Sequence, residues 1–227
     1  MANVIREPAN RLPRGRSALS HDEVRRIHQD RLCRAMADVM VEKGYVRTSV
    51  EDVLQRATVS RRAFYELFGS KLDCFMAAFD GARDMLLGRM MAGASAADPT
   101  REGTEAGGSP ADGRLVRFEA AVSAYLAAIV EDLPYARLLL VESFAAGPEA
   151  VARKNAIKER STDAMAMMLG VTGPAGRLTC TIVVAATSSM VTALVAEGDA
   201  AGVLALGPEL TGHVRRLWHM GAFAEPV

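Results

Sequence analysis

Apolar residues recur at helical spacing over most of the chain, and the punctuation between the runs is equally regular. Ser20, with Glu23 three residues on, forms a capping-box signature, each side chain able to satisfy the other's free backbone N–H. The stripe that follows, Ile27, Leu32, Ala35, Met36, Val39 and Met40, predicts a helix that Gly44 is placed to end. Ser49 caps a short second helix with Val50, Val53, Leu54 and Ala57 on one face. After Thr58 and Val59, Ser60 caps a third, with Phe64, Leu67 and Phe68 inward and Gly69 as its stop. Ser70 opens a longer fourth helix whose Leu72, Phe75, Met76, Phe79, Leu86 and Met90 share a face.

Residues 93–113 then contain no Leu, Ile, Val, Phe or Met, so they cannot bury enough surface to offset their ordering entropy. A disordered loop is expected there. Helical patterns resume over 114–131, 134–145, 148–169, 174–197 and 208–223, and four of these begin at proline, the position helices tolerate best. Leucine, alanine and methionine dominate, so the expected fold is all-α. Residues 1–19, with Arg6, Arg11, Arg14, Arg16 and two prolines, read as a flexible basic arm without the apolar core of a signal peptide. The expected division is this arm, a unit of short capped helices over 20–80 and a larger helical unit over 81–227.

Residues 178–196 carry no charge, which raises a membrane span; but six of them are Ser or Thr and no aromatic or basic belt flanks them. A buried core or subunit-interface helix has the same look, and a protein without a membrane partner is expected. Net charge is zero, yet residues 1–72 hold 14 Lys/Arg against 9 Asp/Glu and residues 73–227 hold 13 against 18. A basic N-terminal third on an acidic body suits a module that binds a polyanion. Cys33, Cys74 and Cys180 are odd in number and set among apolar residues, as reduced thiols in a cytosol would be.

Two short capped helices joined by a three-residue turn make a helix-turn-helix, in which the second helix enters the major groove. Opposite its apolar face lie Arg62 and Glu66, one turn apart, flanked by Ala63 and Tyr65. An arginine suits guanine edges, a carboxylate the cytosine amino group and a methyl group thymine. Arg61, Tyr65 and Lys71 lie where a phosphate would pass, and the helix starts at Ser49 and Ser70 offer free N–H groups to it. The plainer alternatives are a solvated face for Arg61 and Arg62, a surface pair for Arg62 and Glu66, and a core role for Tyr65.

The run RLCRAMADVMVEKGYVRTSVEDVLQRATVSRRAFYELFGSKLDCF, residues 31–75, resembles the TetR-family DNA-binding domain along its whole length. The resemblance rests on Gly44-Tyr45, Thr48-Ser49-Val50, Val59-Ser60, Phe64-Tyr65, Phe68 and Ser70-Lys71, in that order and at these spacings. It implies a regulator, in the first instance a repressor, that binds double-stranded operator DNA as a homodimer in the cytoplasm, without a cofactor. It assigns base or phosphate contact to Arg61, Arg62, Ala63, Tyr65 and Glu66, with Ser60 opening the reading helix, and phosphate contact to Thr48, Ser49 and Lys71. Two positions depart from the family. Thr58 stands where glycine is usual, and must take that turn without glycine's freedom. Arg62 stands where a small residue is common, which enlarges the reading surface.

Beyond Phe75 the resemblance is one of architecture. It implies that helices 174–197 and 208–223 form a four-helix bundle with a partner, and the small residues Ala186, Ser189, Ala193 and Ala196 form a stripe that permits close approach; an intrachain buried helix is the alternative. An apolar small-molecule effector is expected, with Met85, Met90, Phe118, Leu138, Met165 and Met168 as an adaptable lining. The same methionines at helical spacing equally suit ordinary core. Glu142 is either an anchor for that ligand or the partner of Arg137 or Arg153. Two rival functions stand beside this: a DNA-binding dimer without a ligand, and an all-helical enzyme. Against the enzyme, the sequence has no phosphate-cradling glycine loop, no Gly-x-Ser-x-Gly and no metal-ligand spacing among His21, His28, His213 and His219.

Overall fold

The computed structural model describes residues 20–97 and 110–224, and within them the chain is all-α, as expected. The helices are α1 (His21–Arg47), α2 (Val50–Ala57), α3 (Arg61–Leu67), α4 (Lys71–Ala96), α5 (Pro110–Glu131), α6 (Leu133–Leu140), α7 (Pro148–Leu169), α8 (Pro174–Glu197) and α9 (Ala200–His219), with a 3-10 turn at Glu142–Phe144. The basic arm, residues 1–19, lies outside the described residues.

The N-terminal boundaries follow their caps. Ser20 and Ser49 each complete a capping box, with Glu23 and Asp52, while the Ser60 and Ser70 hydroxyls accept from the Ala63 and Asp73 N–H groups. Gly44 bends α1 rather than ending it: its backbone sits at φ 70°, ψ 166°, a conformation open to glycine, and a last turn follows to Arg47. Thr58 adopts the left-handed conformation at φ 55°, alone among the described non-glycine residues, so the turn does hold a β-branched residue where glycine would be relaxed.

Three boundaries differ from expectation. Helical structure intrudes on the supposed loop from both sides, α4 running through Ala96 and α5 starting at Pro110; residues 98–109 are outside the described region. Gly93 explains the extension of α4, because a Cβ there would stand 2.5 Å from the Ala124 Cβ and 2.8 Å from the Ala120 carbonyl oxygen. The small residues that suggested disorder instead allow α4 and α5 to approach closely and antiparallel. Second, the 134–145 segment breaks into α6 and the 3-10 turn. Third, α9 begins at Ala200, with the Asp199 carboxylate capping it through the Gly202 N–H, and Pro208 lies inside it. Val203, Leu206 and Gly207 are buried, and that packing outweighs the one helical hydrogen bond a proline removes.

One hydrophobic cluster runs from the α1–α3 region through α4 and α5 to α6 and reaches Val191 and Val195 of α8. Packing is therefore continuous across residue 80. A second cluster at the far end joins Leu115, Phe118, Met165, Leu169, Val214 and Phe223.

Candidate nucleic-acid interface and regulatory cavity

α3 divides its faces sharply. Phe64 and Phe68 are buried, Phe64 meeting the Tyr65 ring edge-on at 5.3 Å and the Phe68 ring at 5.6 Å. On the other face Arg62 is 90% exposed along its side chain and its Nε donates to Glu66 at 2.8 Å. That bond holds the Glu66 carboxyl below the usual carboxylate range, with His21 and Arg25 of α1 adding to the effect. Glu66 is thus an anion at neutral pH, with the guanidinium groups of Arg62 and Arg25 near it. Arg61 pairs with Glu51 of α2 at 2.6 Å, tying the reading helix to its brace while staying exposed. Tyr65 is exposed, Ala63 half-buried, and the Ser49 and Ser60 hydroxyls are occupied as caps.

Two residues expected to face phosphate turn inward. Thr48 is buried and its hydroxyl donates to the Gly44 carbonyl at 2.7 Å. The Lys71 ammonium donates to the Tyr45 and Thr48 carbonyls, both at 2.9 Å, and lies 4.1 Å from the Tyr45 ring centre. Burial lowers its pKa from the usual lysine value. In this conformation Lys71 clamps the end of α1 to the start of α4. Arg25, exposed on α1 and close enough to act on Glu66, was not singled out from sequence. Its signal was weak: one arginine in an arginine-rich helix, placed near α3 only by the fold.

In the C-terminal half a cavity of about 150 Å³ lies between the two hydrophobic clusters, walled by α4, α5, α6, α7, α8 and α9. Of the residues expected to line it, Met90, Phe118, Met165 and Met168 do so. Met85, Leu138 and Glu142 do not. Met85 packs half-buried on the main core and Leu138 is fully buried within it. Glu142, 6% exposed, points toward α1 instead: its carboxylate accepts from the Tyr45 N–H at 2.9 Å and faces Arg137 at 3.4 Å. Arg137 in turn donates to the Ala196 carbonyl at the end of α8, at 3.0 Å. Arg153, the other partner considered for Glu142, bonds Asp80 at 2.6 Å.

The small stripe of α8 is on the surface of the chain. Ala186, Ser189, Ala193 and Ala196 are not among the residues buried in this chain, and alongside them Leu178 is 60% and Ile182 59% exposed. Among the described residues α8 is the one helix long and apolar enough to cross a membrane, and little of it is covered by the rest of the chain. All three cysteines are buried; burial pushes the Cys33 thiol up to about 12, so it stays protonated and unreactive.

The chain is similar to known proteins in sequence and in fold. Residues 32–78 match the family described as bacterial regulatory proteins, tetR family. Over 165 residues the chain is 24% identical to the HTH-type transcriptional activator FasR of Mycolicibacterium smegmatis (strain ATCC 700084 / mc(2)155), covering 73% of this chain and 69% of that protein. Its fold is similar to that of a TetR-like transcriptional regulator from Rhodococcus sp. RHA1, with a TM-score of 0.60 and 17% identity over 87% of this chain and 98% of the other. It is also similar to the TetR family transcriptional regulator PfmR from Thermus thermophilus, with a TM-score of 0.51 and 22% identity over 87% of this chain and all of the other. The braced helix with a polar outer face falls within residues 32–78, the stretch that matches the tetR family of bacterial regulatory proteins, and it is carried on a helical body whose fold is similar to that of a TetR-like regulator.

Proposed function

We propose that the protein is a ligand-responsive regulator that binds a near-palindromic operator as a homodimer, and a repressor where that operator overlaps a promoter. The observation that carries the DNA reading is the exposed Arg62–Glu66 pair on α3, backed by buried Phe64 and Phe68. Arg62 reads a guanine edge, Glu66 orients it, and Arg61, Tyr65 and Arg25 flank the phosphates. Lys71 acts by holding the α1–α4 junction rigid, and the N–H groups at the start of α4 meet phosphate in its place. The relative named as an activator fits the same binding mode, since the sign of regulation follows from where the operator lies relative to the promoter.

Dimerisation is supported by the uncovered apolar face of α8, too extensive for a monomer in water. A two-fold dimer also matches the symmetry of paired half-sites. Because the target is DNA, the site of action is the cytoplasm.

Two connections join the cavity region to the reading head. α4 runs from Lys71 at the DNA end to Met90 at the cavity wall. The second is a chain of polar contacts: the Ala196 carbonyl of α8 to Arg137, Arg137 to Glu142, and Glu142 to the Tyr45 N–H. A ligand that favours one placement of α4 and α6 changes the spacing of the two reading helices, and a two-fold site tolerates only about 34–36 Å between them.

The test is selection of bound duplexes from a random pool, followed by footprinting and titration with salt. A near-palindrome, with affinity falling steeply as salt rises, is the expected result. Failure to enrich any sequence would overturn the operator reading.

A further inference from the structure

The walls of the cavity are apolar on almost every side, and their charges are unbalanced. Among the described residues they include no aspartate and no glutamate. Arg83 is neutralised by Asp80 at 2.7 Å and Asp84 at 2.8 Å. Tyr125 is kept neutral, its phenol pushed up to about 12 by burial. That leaves Lys154 and Lys158, one helical turn apart on α7, although the whole chain contains only four lysines against 23 arginines.

Lys154 is the unusual one. It is 5% exposed, its Nζ donates to the Leu140 carbonyl at the end of α6, and it lies 4.0 Å from the Phe144 ring centre. Neither partner carries a formal negative charge, and neither lysine has a carboxylate within ion-pair distance among the described residues. Burying an ammonium without a counter-charge is costly, and capping a neutral carbonyl does not remove the cost. The strain is visible in its acidity: burial, with Lys158 beside it, brings the Lys154 pKa down from 10.5 to about 8. An anion that enters with the ligand would supply the counter-charge.

We propose that the cavity binds an amphipathic carboxylate, its apolar tail among Met90, Phe118, Met165 and Met168 and its head group on Lys154 with Lys158 alongside. The ligand carboxylate takes over the Lys154 ammonium from the Leu140 carbonyl, two residues before Glu142. Binding thereby loosens the end of α6, where the contact to Tyr45 begins. This assignment rests on the ligand-responsive reading above and adds the chemical class of the ligand.

The test uses the full-length protein and three probes of one tail length: octanoate, octan-1-ol and octylammonium, titrated by calorimetry at neutral pH, with operator affinity measured in parallel. A charge-assisted contact in an apolar site should make octanoate bind tighter than octanol by about tenfold or more, with octylammonium weakest. Lys154→Met should remove the octanoate preference and leave octanol binding intact, while Lys154→Arg should keep the preference; circular dichroism checks that each variant is folded. If Lys154→Met does not fold, the three-probe comparison in wild type and Lys154→Arg decides. Octanoate binding no tighter than octanol, no binding by either, or a preference that persists in Lys154→Met would each overturn the proposal. If octanol alone binds and releases operator, ligand response stands and the carboxylate class falls. If octanoate binds through Lys154 but leaves operator affinity unchanged, the class stands and the ligand-responsive reading falls.

Discussion

The two ends of this molecule solve opposite problems. Around α1–α3 the interior is closed, with Phe64, Phe68 and Phe75 in ring contacts, and the surface charges are matched in pairs: Lys43 with Asp52, Arg56 with Glu42, Arg61 with Glu51, Arg62 with Glu66. Around α5–α9 the interior holds a cavity with unbalanced lysines, and the surface of α8 is apolar. The first region has a filled interior and offers a polar face outward. The second is incomplete in two places, inside and outside, and each gap has the chemistry of what would fill it. On the proposed function, regulation joins a closed reader to a body whose energy depends on a ligand and a second copy.

Breaking the outer gap has the largest expected effect. Ser189→Arg places an unpaired charge in the middle of the uncovered α8 stripe. We expect monomers with helical content retained, and a loss of about 10²–10⁴ in operator affinity, because the second half-site is no longer tethered to the first. Sedimentation of the variant checks this, and an unchanged dimer would move the interface off α8.

Within the closed reader, Arg62 and Lys71 should fail differently. Arg62→Ala should cost about 1–3 kcal/mol on the preferred site and relax the choice of one base pair per half-site. Lys71→Met should weaken binding on every sequence alike and lower the melting temperature, because it removes the clamp on the Tyr45 and Thr48 carbonyls. Binding to a panel of singly substituted operators separates the two; identical, sequence-independent losses would remove Arg62 from base reading.

The junction between the regions is sharpened by Glu142. Glu142→Ala leaves the Tyr45 N–H without its acceptor and Arg137 without its carboxylate, a cost of about 1–2 kcal/mol in stability. Glu142→Gln keeps an acceptor for Tyr45 but not the charge facing Arg137. If the polar chain carries coupling, both variants bind ligand normally while the mutual weakening of ligand and operator shrinks, and by linkage it must shrink equally from either side. Titration of ligand with and without operator gives the number, and full coupling in both variants would leave α4 as the sole connection.

The smallest effect belongs to Thr58. Thr58→Gly relieves the left-handed backbone but adds chain entropy to the unfolded state, so a net gain of about 0.5–1 kcal/mol is expected. A thermal melt checks the sign. A loss of stability would mean that the threonine side chain contributes more than its backbone costs.

Local features could be read from the chain alone. Four serine caps, the apolar stripes and the inner and outer faces of α3 were all legible, because caps and helical periodicity are set by residues within a turn or two of each other. The left-handed turn at Thr58 was legible in the same way, from a family position where glycine is usual. Tertiary structure decided whatever depended on partners distant in the chain. Helix α4 runs on into the expected loop because Gly93 meets Ala120 and Ala124, and α9 gains two turns because Val203, Leu206 and Gly207 are buried despite Pro208. No spacing rule reveals that Glu142 and Lys71 both turn toward Tyr45. Likewise Lys154 is an ordinary lysine of an amphipathic helix until α4, α5 and α8 close around it. A charge shows its role only when the groups that should neutralise it are known, and for buried groups those come from the whole fold.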